Sequence, residues 1–174
     1  ILDFTALKLG FEIQNAVMWE YAQGVRSGFQ PFIAYLVVKT MTLFGITSPF
    51  IWAFCLRVIS LIVSLASVLI LIQLIKEQIK SETIFKWTVF FMLFSWILIF
   101  LNVRFSSEGW ASSLFILAYG IYLKPGPFNY KKYFYTGLLF GFAVLARYQT
   151  GFLLLGLGCW ILFQRHEELR HLCI

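Results

Sequence analysis

A nearly unbroken apolar stretch runs from Phe50 to Ile75 and contains a single charged residue, Arg57. Crossing the hydrocarbon layer of a bilayer, about 30 Å thick, takes roughly 20 residues of α-helix. A helix in the core of a soluble protein keeps a polar face, which this stretch lacks. The stretch therefore predicts a membrane-spanning helix and places the chain among integral membrane proteins.

Further apolar stretches follow, separated by short polar loops. The chain is 60% hydrophobic, with a mean hydropathy of +0.83, well above the apolar share of soluble domains. The last stretch, 134–163, is interrupted by "ARYQTG", and as one helix it would be about 45 Å long, too long without a large tilt. We predict two short helices there that turn at residues 147–151. The predicted membrane helices are 50–75, 87–103, 110–123, 134–146 and 150–163, and the fold class is an all-α polytopic bundle forming one membrane domain over 1–174.

Residues 1–48 are more polar and are predicted to form an external loop. Pro31 favours a helix start, and apolar residues recur after it at helical spacing, interrupted by polar ones. We expect this amphipathic helix to lie in the membrane interface rather than to cross the membrane. Gly45 is its expected stop, with Ser48 as the cap of the next helix and Pro49 in its first turn.

The net charge of +6 and the pI near 9.4 come largely from basic residues in the loops between apolar stretches. A nucleic-acid-binding surface would need a basic stripe with interleaved polar residues, which the sequence lacks. Cytoplasmic loops of membrane proteins carry this kind of lysine and arginine excess. We therefore assign to the cytoplasmic side Lys76, Lys80, Lys86, Lys124, Lys131, Lys132, Arg165 and Arg170.

Three polar turns are then predicted to meet on the opposite, external face. Ionisable residues at the margin of a membrane are costly, and they mark substrate paths or structural ion pairs. The aromatic residues of the first turn have an alternative role as a belt at the head-group level. The candidate site residues in these turns are Trp19, Glu20, Arg26, Arg104, Glu108 and Arg147.

The charged candidates leave several pairings open. If their turn starts a helix, Arg104 and Glu108 are spaced for a salt bridge. Alternatively, the planar guanidinium of Arg104 binds a phosphate, and Glu108 orients it or contacts a sugar hydroxyl. Arg147 has no acid near it in sequence, so its partner is a lipid phosphate, Glu20 or Glu108 across the site.

Two other patterns are less informative about function. The segment "HEELRH" places His166 and His171 five residues apart, whereas two zinc ligands on one helix need a spacing of four. No metal site is therefore predicted. Gly137 and Gly141 form a pair of small residues four apart, which predicts close helix packing.

Six segments, taken in order, carry a resemblance to a known family. They are "LDFTALKLGF", "WEYAQGVRSGFQPF", "FGI", "LRVIS", "RFSSEGWASSLFIL" and "GLLFGFAVLARYQTGF". The chain resembles glycosyltransferase family 22, the mannosyltransferases of glycosylphosphatidylinositol-anchor and N-glycan assembly, and its bacterial members more closely. The tryptophan-glutamate-aromatic segment followed by arginine is the most specific part of the match.

The resemblance implies a GT-C superfamily glycosyltransferase. Such an enzyme transfers a sugar, here mannose, from a polyprenyl-phosphate donor to a lipid-linked or glycan acceptor and inverts the anomeric centre. It implies that Trp19, Glu20 and Arg26 lie in the first external loop beside the acceptor and the donor head group. The other three candidates would share that face.

The resemblance also implies that the general base lies just after the first membrane helix of the family. The chain begins at Ile1 without a methionine. We therefore interpret it as a fragment of a longer protein, with the catalytic acid expected upstream of Ile1.

The implied partners are membrane lipids, a polyprenyl-phosphate sugar and a glycan or glycolipid acceptor, and not nucleic acid. No particular cofactor is implied beyond the lipid-phosphate sugar as substrate, and a divalent metal is compatible with the family. A multi-pass protein of the bacterial inner membrane is expected, or of the endoplasmic reticulum in a eukaryote. The alternative function is a polytopic transporter or lipid flippase, although a transporter would show two interrupted helices in matching positions, and only one interruption is visible.

Overall fold

The computed structural model describes residues 27–124 and 130–172, and within those ranges it contains seven helices and no strand. The prediction of an all-α fold is confirmed. The helices are α1 Phe29–Leu43, α2 Pro49–Gln78, α3 Glu82–Phe94, α4 Trp96–Val103, α5 Ser107–Leu123, α6 Tyr130–Ala146 and α7 Thr150–Leu172.

One helix, α2, is long and apolar enough to cross a membrane on its own. The pair α3 and α4 reaches the required length together. Large apolar side chains are exposed along these helices, including Phe54, Phe91 and Phe94. An exposed apolar surface of this kind fits a helical membrane bundle. Separate crossings at 110–123, 134–146 and 150–163 remain predictions.

The predicted continuous helix at 87–103 is interrupted at Ser95, where the axis bends by 48°. Ser95 has an extended backbone with ψ of 117°, while its N–H still bonds the carbonyl of Phe91 at 3.0 Å. Its own carbonyl accepts from the N–H of Ile99 at 3.0 Å, so Ser95 ends α3 and caps α4. The Ser95 side chain makes no capping hydrogen bond, so the change of helix axis is in the backbone alone.

The turn between α1 and α2 lies where the sequence predicts it. Gly45 has a φ of 77°, a conformation that glycine adopts without steric cost. Its N–H bonds the carbonyl of Thr42, and the N–H of Ile46 bonds that of Met41, each at 3.0 Å. These two bonds form a Schellman motif that ends α1. Ser48 occupies the N-cap of α2 as predicted, with Pro49 first in the helix, but its side chain makes no capping hydrogen bond.

The packed part of the molecule is formed by α2, α5 and α6. Trp110, Ala111 and Leu114 of α5 pack with Ala143 and Ala146 of α6 in one buried cluster. The N-terminal end of α1 joins this cluster through the ring of Phe29. That ring stacks on Phe142 at 5.3 Å and meets Trp110 edge-on at 6.4 Å between ring centroids.

Close helix packing occurs at Gly120 rather than at the predicted glycine pair. A Cβ atom placed on Gly120 would lie 2.8 Å from Cγ2 of Ile70, so α2 and α5 approach closely there. By contrast, no atom of the described residues would lie within 4 Å of a Cβ on Gly137 or Gly141. The packing prediction for this pair is wrong in the described structure, because α6 packs against α5 with Ala143 and Ala146 instead.

The apolar stretch 134–163 is broken between Ala146 and Thr150. The helices on either side extend beyond the predicted limits, since α6 starts at Tyr130 and α7 continues to Leu172. The first half of α7 leaves large side chains such as Phe152 and Leu155 exposed, and α7 packs little against α6. The break therefore presents residues 147–149 beside the start of α5.

Candidate functional site

The N-terminus of α5 positions the first member of the site, Glu108. Ser106 caps this helix, its hydroxyl accepting the N–H of Gly109 at 3.2 Å. The helix thereby begins at Ser107, three residues before the predicted start, and Glu108 lies in its first turn. A carboxylate in a first turn interacts favourably with the positive end of the helix dipole.

Arg147 is held at the break between α6 and α7. Its N–H continues the pattern of α6 by bonding the carbonyl of Ala143 at 3.0 Å, and its carbonyl accepts the N–H of Thr150 at 3.0 Å. The side chain leaves the break toward α5, where Nη1 donates to Oε1 of Glu108. Its Nε donates to Oε1 of Gln149. Of the partners that the sequence left open for Arg147, Glu108 is therefore in contact with it, whereas Glu20 lies outside the described residues.

The surroundings of Glu108 favour its charged form. A hydrogen bond with its own backbone N–H is the largest cause lowering the pKa of this carboxyl below its ordinary value of 4.5, and burial opposes this shift. The positive charge of Arg147 and a hydrogen bond from Ser107 lower the pKa further. The side chain is 62% exposed and that of Arg147 is 35% exposed. An ion pair with this exposure contributes little to stability in water, about 0 to 1 kcal/mol.

A cavity of about 300 Å³ opens beside this ion pair. Its polar wall comes from the start of α5 and the break before α7, and Thr150 in this wall is buried. Its remaining wall is apolar, with Phe115, Ile116 and Leu153. Guanidinium, carboxylate, amide and hydroxyl groups together can bind sugar hydroxyls and phosphate oxygens. The polar residues are Glu108, Ser112, Arg147, Gln149 and Thr150.

Arg104 does not join this cavity. It precedes α5 and has an extended backbone, with φ of −69° and ψ of 127°. Arg104 and Glu108 therefore do not share one helical face, and the salt bridge that their spacing allowed is not formed. Arg104 instead lines a separate groove between α2 and α4, together with Arg57.

The remaining candidates, Trp19, Glu20 and Arg26, lie outside the described residues. The sequence analysis does not single out four polar residues that line the cavity or the groove: Arg57, Ser112, Gln149 and Thr150. The segment "ARYQTG" was recognised as a break, so its polar residues after the arginine were the signal for the latter two. In the described ranges, no group of three or more metal-binding side chains comes together.

Comparison with known proteins gives one match. The family model of the Alg9-like mannosyltransferase family matches residues 7–174. Searches of curated proteins and of solved structures find no match. The matched range includes every candidate site residue described above.

Proposed function

The chain belongs to the Alg9-like mannosyltransferase family, and from this premise we propose that it forms part of a multi-pass membrane enzyme that transfers mannose from a polyprenyl-phosphate donor. The acceptor is a lipid-linked sugar or glycan, and the anomeric centre inverts. Membership of the family supports glycosyl transfer. The donor, the inversion and the class of acceptor are our proposal.

The observation that carries this proposal is the contact between Arg147 and Glu108 at the rim of the 300 Å³ cavity. Transfer from a phosphate ester develops negative charge on the leaving phosphate, which a fixed cation stabilises. Arg147 is fixed by Glu108 on one side and by Gln149 on the other. A guanidinium has five N–H donors, so these two contacts leave others for phosphate oxygens.

Glu108 is suited to positioning rather than to proton transfer. Its lowered pKa makes it a weak base at neutral pH. We propose that it orients Arg147 and that one of its oxygens accepts from a sugar hydroxyl. The general base is then a residue other than Glu108, and Trp19, Glu20 and Arg26 are proposed to complete the acceptor side.

The proposed setting follows from the same reasoning. With the lysine-rich loops inside, the start of α5 and the break before α7 face the external side of the membrane. The membrane is the bacterial inner membrane, or that of the endoplasmic reticulum in a eukaryotic member.

Transfer by the full-length protein tests the proposal. We expect Arg147→Ala to lower the release of polyprenyl phosphate from polyprenyl-phosphate mannose by about 10- to 100-fold, since a charged hydrogen-bond donor is lost. Arg147→Lys should recover only part of the rate, because an ammonium cannot contact Glu108, Gln149 and phosphate with one planar group. We expect Arg26→Ala to lower the rate as well.

Lys86→Gln is the matched control, because Lys86 is exposed and pairs with Glu82 at 2.7 Å, away from the cavity. It should leave the rate unchanged. Membrane insertion is checked for each variant by extraction and protease protection. Full turnover in both Arg147→Ala and Arg26→Ala, with normal insertion, would refute the proposed role of this site.

A further inference from the structure

A second basic site lies between α2 and α4. The groove there has a volume of about 550 Å³ and shares no lining residue with the cavity at Glu108. Arg57 of α2 and Arg104 after α4 supply its two charges. The rest of its lining is apolar: Trp96, Ile99, Phe100 and Val103.

Among the side chains that the structure describes, no acid neutralises the two charges of the groove. Neither guanidinium forms an ion pair within 27–124 and 130–163, and no carboxylate from these ranges lines the groove. Two neighbouring arginines repel each other and are costly where water is scarce. An anion between them would remove both costs, and a phosphate matches the planar guanidinium with paired hydrogen bonds.

The position of the groove selects a lipid as the source of that phosphate. Arg57 lies roughly two turns after the start of α2, about 12 Å along the helix. Because α2 is long and apolar enough to span a membrane, this depth corresponds to the region just below the head groups. The bend at Ser95 starts α4 at Trp96, and α4 supplies the whole apolar wall from there to Val103.

We propose that this groove binds one anionic phospholipid of the bilayer, with its phosphate between Arg57 and Arg104 and an acyl chain along Trp96 and Phe100. The head group approaches from the end of α4, and the chain follows the apolar wall toward the bend. This lipid is a bound component of the protein and not its sugar donor. The lipid ties α4 to α2 beside the turn that leads into α5 and Glu108.

Native mass spectrometry of the full-length protein tests this assignment. The protein is purified in a mild detergent with equal amounts of phosphatidylglycerol and phosphatidylcholine. We expect one retained phosphatidylglycerol in the wild type. Arg57→Gln and Arg104→Gln should each weaken its retention about tenfold, as expected for loss of one charge-assisted contact.

Lys39→Gln is the charge-matched control, because Lys39 is exposed on α1 and lies over the ring of Tyr35 rather than in the groove. It should not change retention. If Arg57→Gln prevents folding, Arg57→Lys with Arg104→Lys keeps both charges and should weaken retention by a smaller factor, because the paired geometry is lost.

Several results would overturn the proposal. The first is failure of the variants to differ: equal retention by the wild type and the Arg57→Gln, Arg104→Gln double variant, or a fall in Lys39→Gln as large as that in the groove variants. The second is displacement of the phospholipid by inorganic phosphate at the lipid concentration, which would make the groove a site for free anions. The third is displacement by polyprenyl phosphate, which would assign the groove to the donor. The experiment measures lipid retention and not sugar transfer. A negative result would therefore refute the lipid site without refuting the proposed transferase activity, which is tested separately.

Discussion

The indole N–H of Trp110 donates a hydrogen bond of 2.9 Å to the hydroxyl of Ser60. Both residues are buried, and they are 50 positions apart in the chain. The hydroxyl of Ser60 in turn donates to the carbonyl of Leu56 at 3.0 Å. Trp110 lies two residues after Glu108, so the contact joins the start of α5 to the first half of α2 and fixes where the candidate site begins.

Loss of this contact should destabilise the protein. Ser60→Ala leaves the indole N–H buried without a partner, which costs about 1 to 3 kcal/mol. We expect a decrease of this size in the free energy of unfolding, measured by titration with dodecyl sulfate from a mild detergent. Ser112→Ala is the control, since that serine is exposed and bonds only the carbonyl of Gly109. In Trp110→Phe, adding Ser60→Ala should cost much less, and equal costs in both backgrounds would contradict the contact.

The close approach of α2 and α5 predicts that substitution by alanine changes stability differently at Gly120 and at Gly137. In Gly120→Ala, the new methyl group meets Ile70 at 2.8 Å and must displace it, which costs about 1 to 3 kcal/mol. Gly137→Ala places its methyl group where no described atom lies within 4 Å, so higher helix propensity should make it neutral or stabilising by up to about 1 kcal/mol. Thermal unfolding in detergent compares the two variants. Stabilities that fall equally would show that α2 and α5 do not pack at Gly120.

Much of the backbone could be predicted from local chemistry. Gly45, Ser48 and Pro49 specify a helix end and a helix start within a few residues, and the structure places both there. The break after Ala146 was likewise visible as a polar interruption of an apolar stretch. Such features depend on neighbours in the chain, which is why one sequence suffices to find them.

The features that the sequence does not predict leave no local signal or depend on contacts between distant segments. The bend at Ser95 lies inside a stretch with no proline or glycine, so hydropathy alone predicts a continuous helix there. In the sequence, Arg57 is only a polar interruption of a membrane span, because its proximity to Arg104 exists only after α4 folds back onto α2. The packing prediction for the glycine pair in α6 is wrong for a similar reason. The spacing of two glycines shows that one helix face carries small residues, but it does not show which residues contact that face.

The lowered pKa of Glu108 predicts how stability depends on pH. A carboxyl whose pKa is lowered in the folded state contributes stability above its unfolded pKa, and the contribution disappears as the pH falls through the folded value. The wild type should therefore exceed Glu108→Gln in thermal stability at pH 6, and the difference should vanish as the pH falls below 4.5. In the Arg147→Gln background the difference should be smaller and should disappear at a higher pH, because the charge and the hydrogen bond of Arg147 no longer lower the folded-state pKa of Glu108. Parallel curves for the wild type and Glu108→Gln from pH 7 to pH 3 would contradict this account.

The Schellman motif at Gly45 predicts a residue-specific cost at the turn before α2. Alanine at a φ of 77° brings its Cβ close to a carbonyl oxygen, so Gly45→Ala should lower the free energy of unfolding by about 1 to 2 kcal/mol. Gly45→Asn should cost less, because asparagine tolerates the left-handed conformation. Space around the position is open, so the cost cannot come from packing. Titration with dodecyl sulfate measures both variants, and an asparagine variant as unstable as the alanine variant would argue against a left-handed Gly45. A weakened turn should also disturb the indole N–H of Trp52, which donates to the carbonyl of Ile46 at 2.9 Å and holds the turn against α2.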